Sequence, residues 1–218
     1  MQMHKLLIGL MTALISVTAL AQTDLIHNVD RRITTSLNGH WQIIIDPFER
    51  GYYNYRYQPD PSGYFNNRVP EDKEDRIEYS FDDVDRLKVP GDWNSQRPDL
   101  EFYEGTIWYK KSFQYDLKPN TRVYVHFGAV NYEAIVWING QKLGEHVGEF
   151  TPFNFEITDY LQDGDNFIVV KADNQRALEA VPTLNFDWWN YGGITRPEHL
   201  IEVPDTYLQD YFIQLAPG

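Results

Sequence analysis

The sequence predicts an all-β fold, a sandwich or jelly roll, and three observations carry that expectation. From residue 106 onward, short apolar–polar alternations recur at regular spacing, as half-buried strands do. Between two of these runs, Asn139-Gly140 supplies the positive φ angles of a type I′ hairpin turn. No stretch shows a convincing amphipathic helical period. At 218 residues with 42% hydrophobic content, the chain suits one such domain with short extensions.

Taken in order, residues 1–21 read as a secretory signal peptide. Lys5 charges the first segment, residues 6–20 form an apolar run, and Ala19-Leu20-Ala21 is a small-x-small cleavage site. An apolar run of about 15 residues is short of the roughly 20 that a bilayer span requires. Export to the periplasm or the extracellular space is therefore expected, with Gln22 as the first mature residue. Residues 22–35 are polar and mixed in charge, an N-terminal tether, and the globular domain is expected over 36–205. Trp41, Ile43 and Ile45 share one face of a strand that Asp46-Pro47 ends.

Residues 51–78 differ, because Tyr52, Tyr53, Tyr55, Tyr57, Tyr64 and Phe65 are interleaved with Asn, Pro and Gly without period. That pattern is a long loop, which either lines a ligand site or packs its own tyrosines. Residues 71–78 alternate in charge and read as a solvated face. Residues 89–94 form a turn with Trp93 tucked behind it. Strands follow at 107–113, 122–127, 134–138, 141–143, 153–157, 167–172 and 198–203. Residues 206–215 begin one more alternation, so 206–218 read as the start of a truncated following domain.

Composition excludes several function classes. There is no Cys, hence no disulfide, thiol catalysis or thiolate metal site. The formal net charge of −13 makes nucleic acid and anionic membrane poor partners. No Gly-x-Ser-x-Gly elbow, P-loop or Gly-x-Gly-x-x-Gly occurs, and none of the six histidines has another four residues away. Neither a catalytic residue nor a metal or cofactor site is read from the chain. Glycoside hydrolysis needs only two carboxylates facing across a bond, and spacing alone does not pair them here.

Residues 185–196 read Asn-Phe-Asp-Trp-Trp-Asn-Tyr-Gly-Gly-Ile-Thr-Arg, with no helical or clean strand period. Indole and phenol rings cover the apolar face of a sugar, and Asp and Asn bond to its hydroxyls. Equally, Trp188 and Trp189 are the kind of residues that plug the end of a sandwich while Gly192-Gly193 turns the chain back into a strand.

The ordered motifs Leu37-Asn38-Gly39-x-Trp41, Val89-Pro90-Gly91-Asp92-Trp93, Tyr103-Glu104-Gly105 with Trp108-Tyr109, Val136-Trp137-Ile138-Asn139-Gly140, Gly144, Phe150-Thr151-Pro152-Phe153 and Asn190-Tyr191-Gly192-Gly193-Ile194-x-Arg196 closely resemble the N-terminal sugar-binding domain of glycoside hydrolase family 2, which includes β-galactosidases, β-glucuronidases and β-mannosidases. The resemblance implies a jelly-roll sandwich of the galactose-binding type, followed in full-length relatives by an immunoglobulin-like sandwich and a (β/α)₈ barrel. That barrel carries the two glutamates of retaining hydrolysis, so the chain alone is expected to be inactive. By the same resemblance, Asp187 reaches a terminal sugar in the barrel site, and in some members the matching Asp also binds a sodium ion. Trp189 and Asn190 are further substrate-binding candidates, and Glu104 is carried over from a second family loop. Gly192, Gly193, Ile194 and Arg196 are expected to form the structural return into the sandwich, with Trp188 packed beneath. The implied partners are a β-galactoside, β-glucuronide or β-mannoside and the remaining domains of the same enzyme. A stand-alone carbohydrate-binding module and an inert scaffold for the barrel are the alternatives.

Overall fold

The computed structural model describes residues 24–54, 56–59, 80–211 and 213–215. The expected signal peptide, most of the Tyr-rich segment and its charged stretch 71–78 lie outside the described residues. Twelve strands are present among the described residues: β1 (Ile33–Ser36), β2 (Gly39–Asp46), β3 (Arg86–Val89), β4 (Thr106–Tyr115), β5 (Thr121–Phe127), β6 (Val130–Asn131), β7 (Glu133–Ile138), β8 (Gln141–Val147), β9 (Phe153–Glu156), β10 (Gly164–Asp173), β11 (Gly193–Ile194) and β12 (Glu198–Pro204). They pair antiparallel into a six-stranded sheet, β3-β2-β4-β10-β7-β8, a four-stranded sheet, β1-β12-β5-β9, and a short ladder, β11-β6. This is the all-β sandwich that the alternation predicts.

The core lies between the two large sheets. Trp41, Ile43, Ile107, Tyr109, Val136, Ile138, Ile168 and Val170 face Val123, Val125, Phe127, Phe153, Phe155 and Leu200 across it. Side chains of opposite parity on the six-stranded sheet are buried too. Ile44, Trp108, Trp137 and Val169 pack with Phe81, and Tyr52 and Val84 lie against them. Cover on both faces at the centre of the sheet accounts for the uninterrupted apolar runs 107–109 in β4 and 167–170 in β10. At the hairpin, Asn139 (φ 48°) and Gly140 (φ 86°) take the two positive angles that a type I′ turn requires.

Three features depart from the sequence reading. The expected tether is built into the fold: Ile26 is buried, its N–H donates to Asn154 Oδ1 at 2.8 Å, and β1 pairs with β12. The 89–94 turn continues into a one-turn helix, α1 (Trp93–Gln96), whose N-cap Asp92 accepts from Ser95 N at 2.7 Å. The described residues of 206–215 form no strand; Tyr207 packs on Tyr124, while Leu208, Tyr211, Ile213 and Leu215 are exposed.

The described part of the Tyr-rich segment is tied to the outer face of the six-stranded sheet. Asp46 accepts from Arg50 N, Gly51 N and Trp108 Nε1 at 2.9, 3.0 and 3.0 Å. Lys171 of β10, nearly fully buried, meets Glu49 at 2.6 Å and Asp173 at 3.7 Å. Burial disfavours its ammonium, but Asp173 and Glu49 outweigh that and hold its pKa above the usual lysine value. Tyr52 packs edge-on against Tyr53 and Trp137, so this end of the segment packs its own tyrosines.

Glu198, at the start of β12, is fully buried, and neither carboxyl oxygen has a hydrogen-bond partner among the described residues. Burial pushes its pKa well above the usual carboxylate value. A folded pKa above the unfolded one means that the group's stabilisation is complete below pH 4.5 and is lost as pH rises toward the folded value. Against wild type, Glu198→Gln is therefore expected to gain relative stability as pH rises from the unfolded carboxylate value toward the folded one. Urea denaturation of both proteins across that range checks this, and parallel pH profiles would refute it.

Candidate functional site

The singled-out stretch belongs to a long excursion, residues 174–192, between β10 and β11. It lies against residues 90–105, which follow β3, and glycine chemistry sets the contact. A Cβ at Gly192 would stand 2.0 Å from Cζ2 of the buried Trp93 indole, so only glycine lets the backbone lie there. Flush contact allows Trp93 N to donate to Gly192 O at 2.9 Å, Gly192 N to Asn94 Oδ1 at 2.9 Å, and Gly91 N to Ile194 O at 2.8 Å. Asn94 is in turn locked, its amide donating to the carbonyls of Leu100 at 2.9 Å and Tyr103 at 3.0 Å. Tyr109 sits under Gly193; burial, then Asp92 and Glu198, push its pKa well above the usual phenol value, so it stays neutral.

The two ends of the excursion are clasped by buried asparagines. Asn174 Nδ2 donates to Asn190 O at 2.7 Å, and Asn190 Nδ2 donates back to Asn174 O. Gly105 N donates to Asn174 Oδ1 at 2.8 Å, while Asn131 Nδ2 donates to Asn190 Oδ1 at 3.1 Å. Above the clasp, Arg176 Nε donates to Glu104 Oε1 at 3.1 Å and Nη2 to Trp188 O at 3.2 Å. Its guanidinium lies 5.8 Å from the Trp189 ring centroid, and Trp189 packs edge-on against Phe102 at 5.5 Å.

The structure therefore divides the four candidates. Asp187 is exposed and makes no hydrogen bond or ion pair among the described residues. Trp189 is half-buried and lines a cleft of about 530 Å³ with Phe102, Tyr191, Ser95, Pro98 and Glu101. Asn190 is buried, and its amide is used within the clasp. Glu104 is half-buried and paired with Arg176. The expectation for Trp188 is corrected: it is 54% exposed and stacks edge-on with Phe186 at 4.0 Å, whereas the indole beneath the glycine return is Trp93. Trp93 fills that space because its Nε1–H finds Tyr103 O at 3.2 Å inside the wall, leaving Trp188 outside.

Asn174, Arg176 and Phe102 escape the motif reading. One signal was available for Asn174: continuing the inward parity of Ile168, Val170 and Ala172 along β10 places residue 174 inside. Arg176 sits in a stretch without period, so nothing local marks its partners. No group of three or more His, Asp or Glu side chains is arranged to hold a metal ion among the described residues. The arrangement supplies recognition chemistry: ring faces for the apolar side of a ligand and an unpaired carboxylate as a hydrogen-bond acceptor.

A sandwich whose long end loops form an aromatic, carboxylate-bearing wall defines a carbohydrate-recognition class of domain. The chain belongs to the glycosyl hydrolases family 2, sugar binding domain, whose family model matches residues 34–204. It is 34% identical over 156 residues to a β-galactosidase of Thermoanaerobacter pseudethanolicus, covering 66% of this chain and 21% of that protein. It is also 34% identical over 145 residues to a β-glucuronidase of Bacteroides fragilis, covering 62% and 20%. Among solved structures, a β-glucuronidase from an uncultured Clostridium species superposes with a TM-score of 0.64 at 27% identity, covering 82% of this chain and 30% of the other. A Bifidobacterium dentium β-glucuronidase complexed with coumarin-3-O-glucuronide gives 0.64 at 25% identity, covering 79% and 30%. The chain thus spans about a fifth of the length of these curated relatives.

Because Gly192 lies on Trp93, Gly192→Ala is expected to destabilise the domain by about 1–3 kcal/mol through overpacking. A lowered urea midpoint with an unchanged m-value checks this. An unchanged midpoint would mean that the indole yields without cost.

Proposed function

We propose that this chain is the N-terminal sugar-binding domain of an exported retaining β-glycosidase and that Asp187 contacts the sugar bound in the active site. The observation that carries the reading is the exposed, unpaired Asp187 on a loop fixed beside an aromatic cleft, in a chain whose residues 34–204 match the family. Trp189 supplies a ring at the edge of the same cleft, while Asn190 and Glu104 serve the substrate indirectly by holding the loop. The two catalytic glutamates that the resemblance implies belong to a barrel outside this chain. There one protonates the leaving group and the other attacks the anomeric carbon. A sodium ion beside Asp187 would need its remaining oxygen ligands from outside the described residues. That the relatives are β-glucuronidases and β-galactosidases makes β-glucuronides and β-galactosides the first substrates to test.

The decisive experiment is Asp187→Ala in the full-length enzyme. Loss of a charge-assisted hydrogen bond predicts a fall in kcat/KM on 4-nitrophenyl β-D-glucuronide or β-D-galactoside of about 10- to 100-fold. Unchanged kinetics would leave the domain a scaffold. Residues 22–218 alone are expected to hydrolyse neither compound. Tight sugar binding by that isolated piece, measured by calorimetry, would instead favour a stand-alone binding module, a reading supported by the cleft lying wholly within this chain.

A further inference from the structure

We infer that Arg176 and Asn174 are positioning residues that set where Asp187 points; this rests on the reading of Asp187 given above. The outer half of the 174–192 excursion has little packing to hold it. Leu178, Val181, Leu184, Phe186 and Trp188 are all exposed, so the Asp187 backbone is placed by polar links. Asn174 closes the base, joining the strand end to Asn190 on one side and to Gly105 on the other. Farther out, Val181 N donates to Tyr132 Oη at 3.3 Å, and nearest to Asp187 the link is Arg176. Its side chain is only 16% exposed, and its Nη2 donates to the carbonyl of Trp188, the residue after Asp187, while its Nε donates to Glu104.

The geometry needs arginine rather than a generic cation. A planar fork satisfies Glu104 and the Trp188 carbonyl at once and lies over the Trp189 ring, whereas an ammonium on a flexible stem keeps one partner at a time. Glu104 thereby acts on the substrate through Arg176 instead of touching it. With either link lost, the stretch that carries Asp187 is held by fewer bonds and opens more readily.

The test uses the full-length enzyme with Arg176→Lys, Asn174→Ala, Asp187→Ala and the Arg176→Lys/Asp187→Ala pair. Arg176→Lys is expected to keep its melting temperature but lower kcat/KM about 10-fold, mostly as a raised KM, since misplaced contacts weaken binding. Added to Asp187→Ala, it should give no further loss, because its effect passes through Asp187. Additive losses, or wild-type kinetics in Arg176→Lys while Asp187→Ala is impaired, would overturn the inference. If Asp187→Ala is itself silent, the sugar-contact reading fails, and hydrogen exchange at residues 186–189 decides separately. Faster exchange in Arg176→Lys and Asn174→Ala upholds the positioning role, and unchanged exchange defeats it.

Discussion

The backbone of Gly192 lies against the indole of Trp93, with a hypothetical Cβ at 192 only 2.0 Å from the ring, and the site is assembled from that contact outward. Close approach lets Trp93 N, Gly192 N and Gly91 N each find a partner across the seam. Those bonds tie β11, which pairs with β6, to the segment after β3 and join two loops distant in the chain into one wall. Any side chain at 192 would push the strands apart and leave buried amides unpaired, which is expensive where water cannot replace the lost partner.

That wall stands on a sheet whose centre is covered on both faces. The six-stranded sheet buries one set of side chains in the sandwich core and the opposite set beneath the segment that follows β2. The Lys171–Glu49 contact pins that cover, with Asp173 alongside. A buried ion pair of this kind contributes little net stability compared with apolar packing, but losing one member strands a charge. Its value here is register: it fixes where residues 49–53 cross β10, close to the Asn174 clasp.

Alternation and turn chemistry made most of the sandwich legible. β2 and β5 follow from parity, β10 from a run of β-branched residues, and the hairpin at 139–140 from two residues. What stayed hidden depends on long-range pairing. β1 is four exposed residues that become a strand only because β12 lies beside them, and α1 is one turn, too short to show a period. At the site, the sequence marked the exposed acid and the glycines. It set Trp188 beneath the return and Trp189 toward the sugar, but which indole is covered depends on partners outside the stretch, Phe102 and Arg176. Asn190 and Glu104 look like ligand contacts in one dimension because Asn and Glu serve sugars and backbones equally well. Burial and partners separate the two roles.

The same distinction explains why the exposed group is the informative one. Among the described residues, most buried polar groups of the wall already have their bonds, Trp189 Nε1 and Asn131 Oδ1 being exceptions, so a ligand has little to gain from the rest. Asp187 keeps its acceptor capacity, yet in open solvent that capacity is worth little. A charge interaction at 4 Å contributes about 1 kcal/mol in bulk water and about 4 kcal/mol at the effective dielectric near a protein surface. On the proposed reading, whatever closes over Asp187 decides its strength, because excluding water raises the worth of a carboxylate already held in place. This chain's own contribution is then geometric: Gly192, the asparagine clasp and the Arg176 fork fix the loop in advance, so that little ordering remains to be done when sugar arrives.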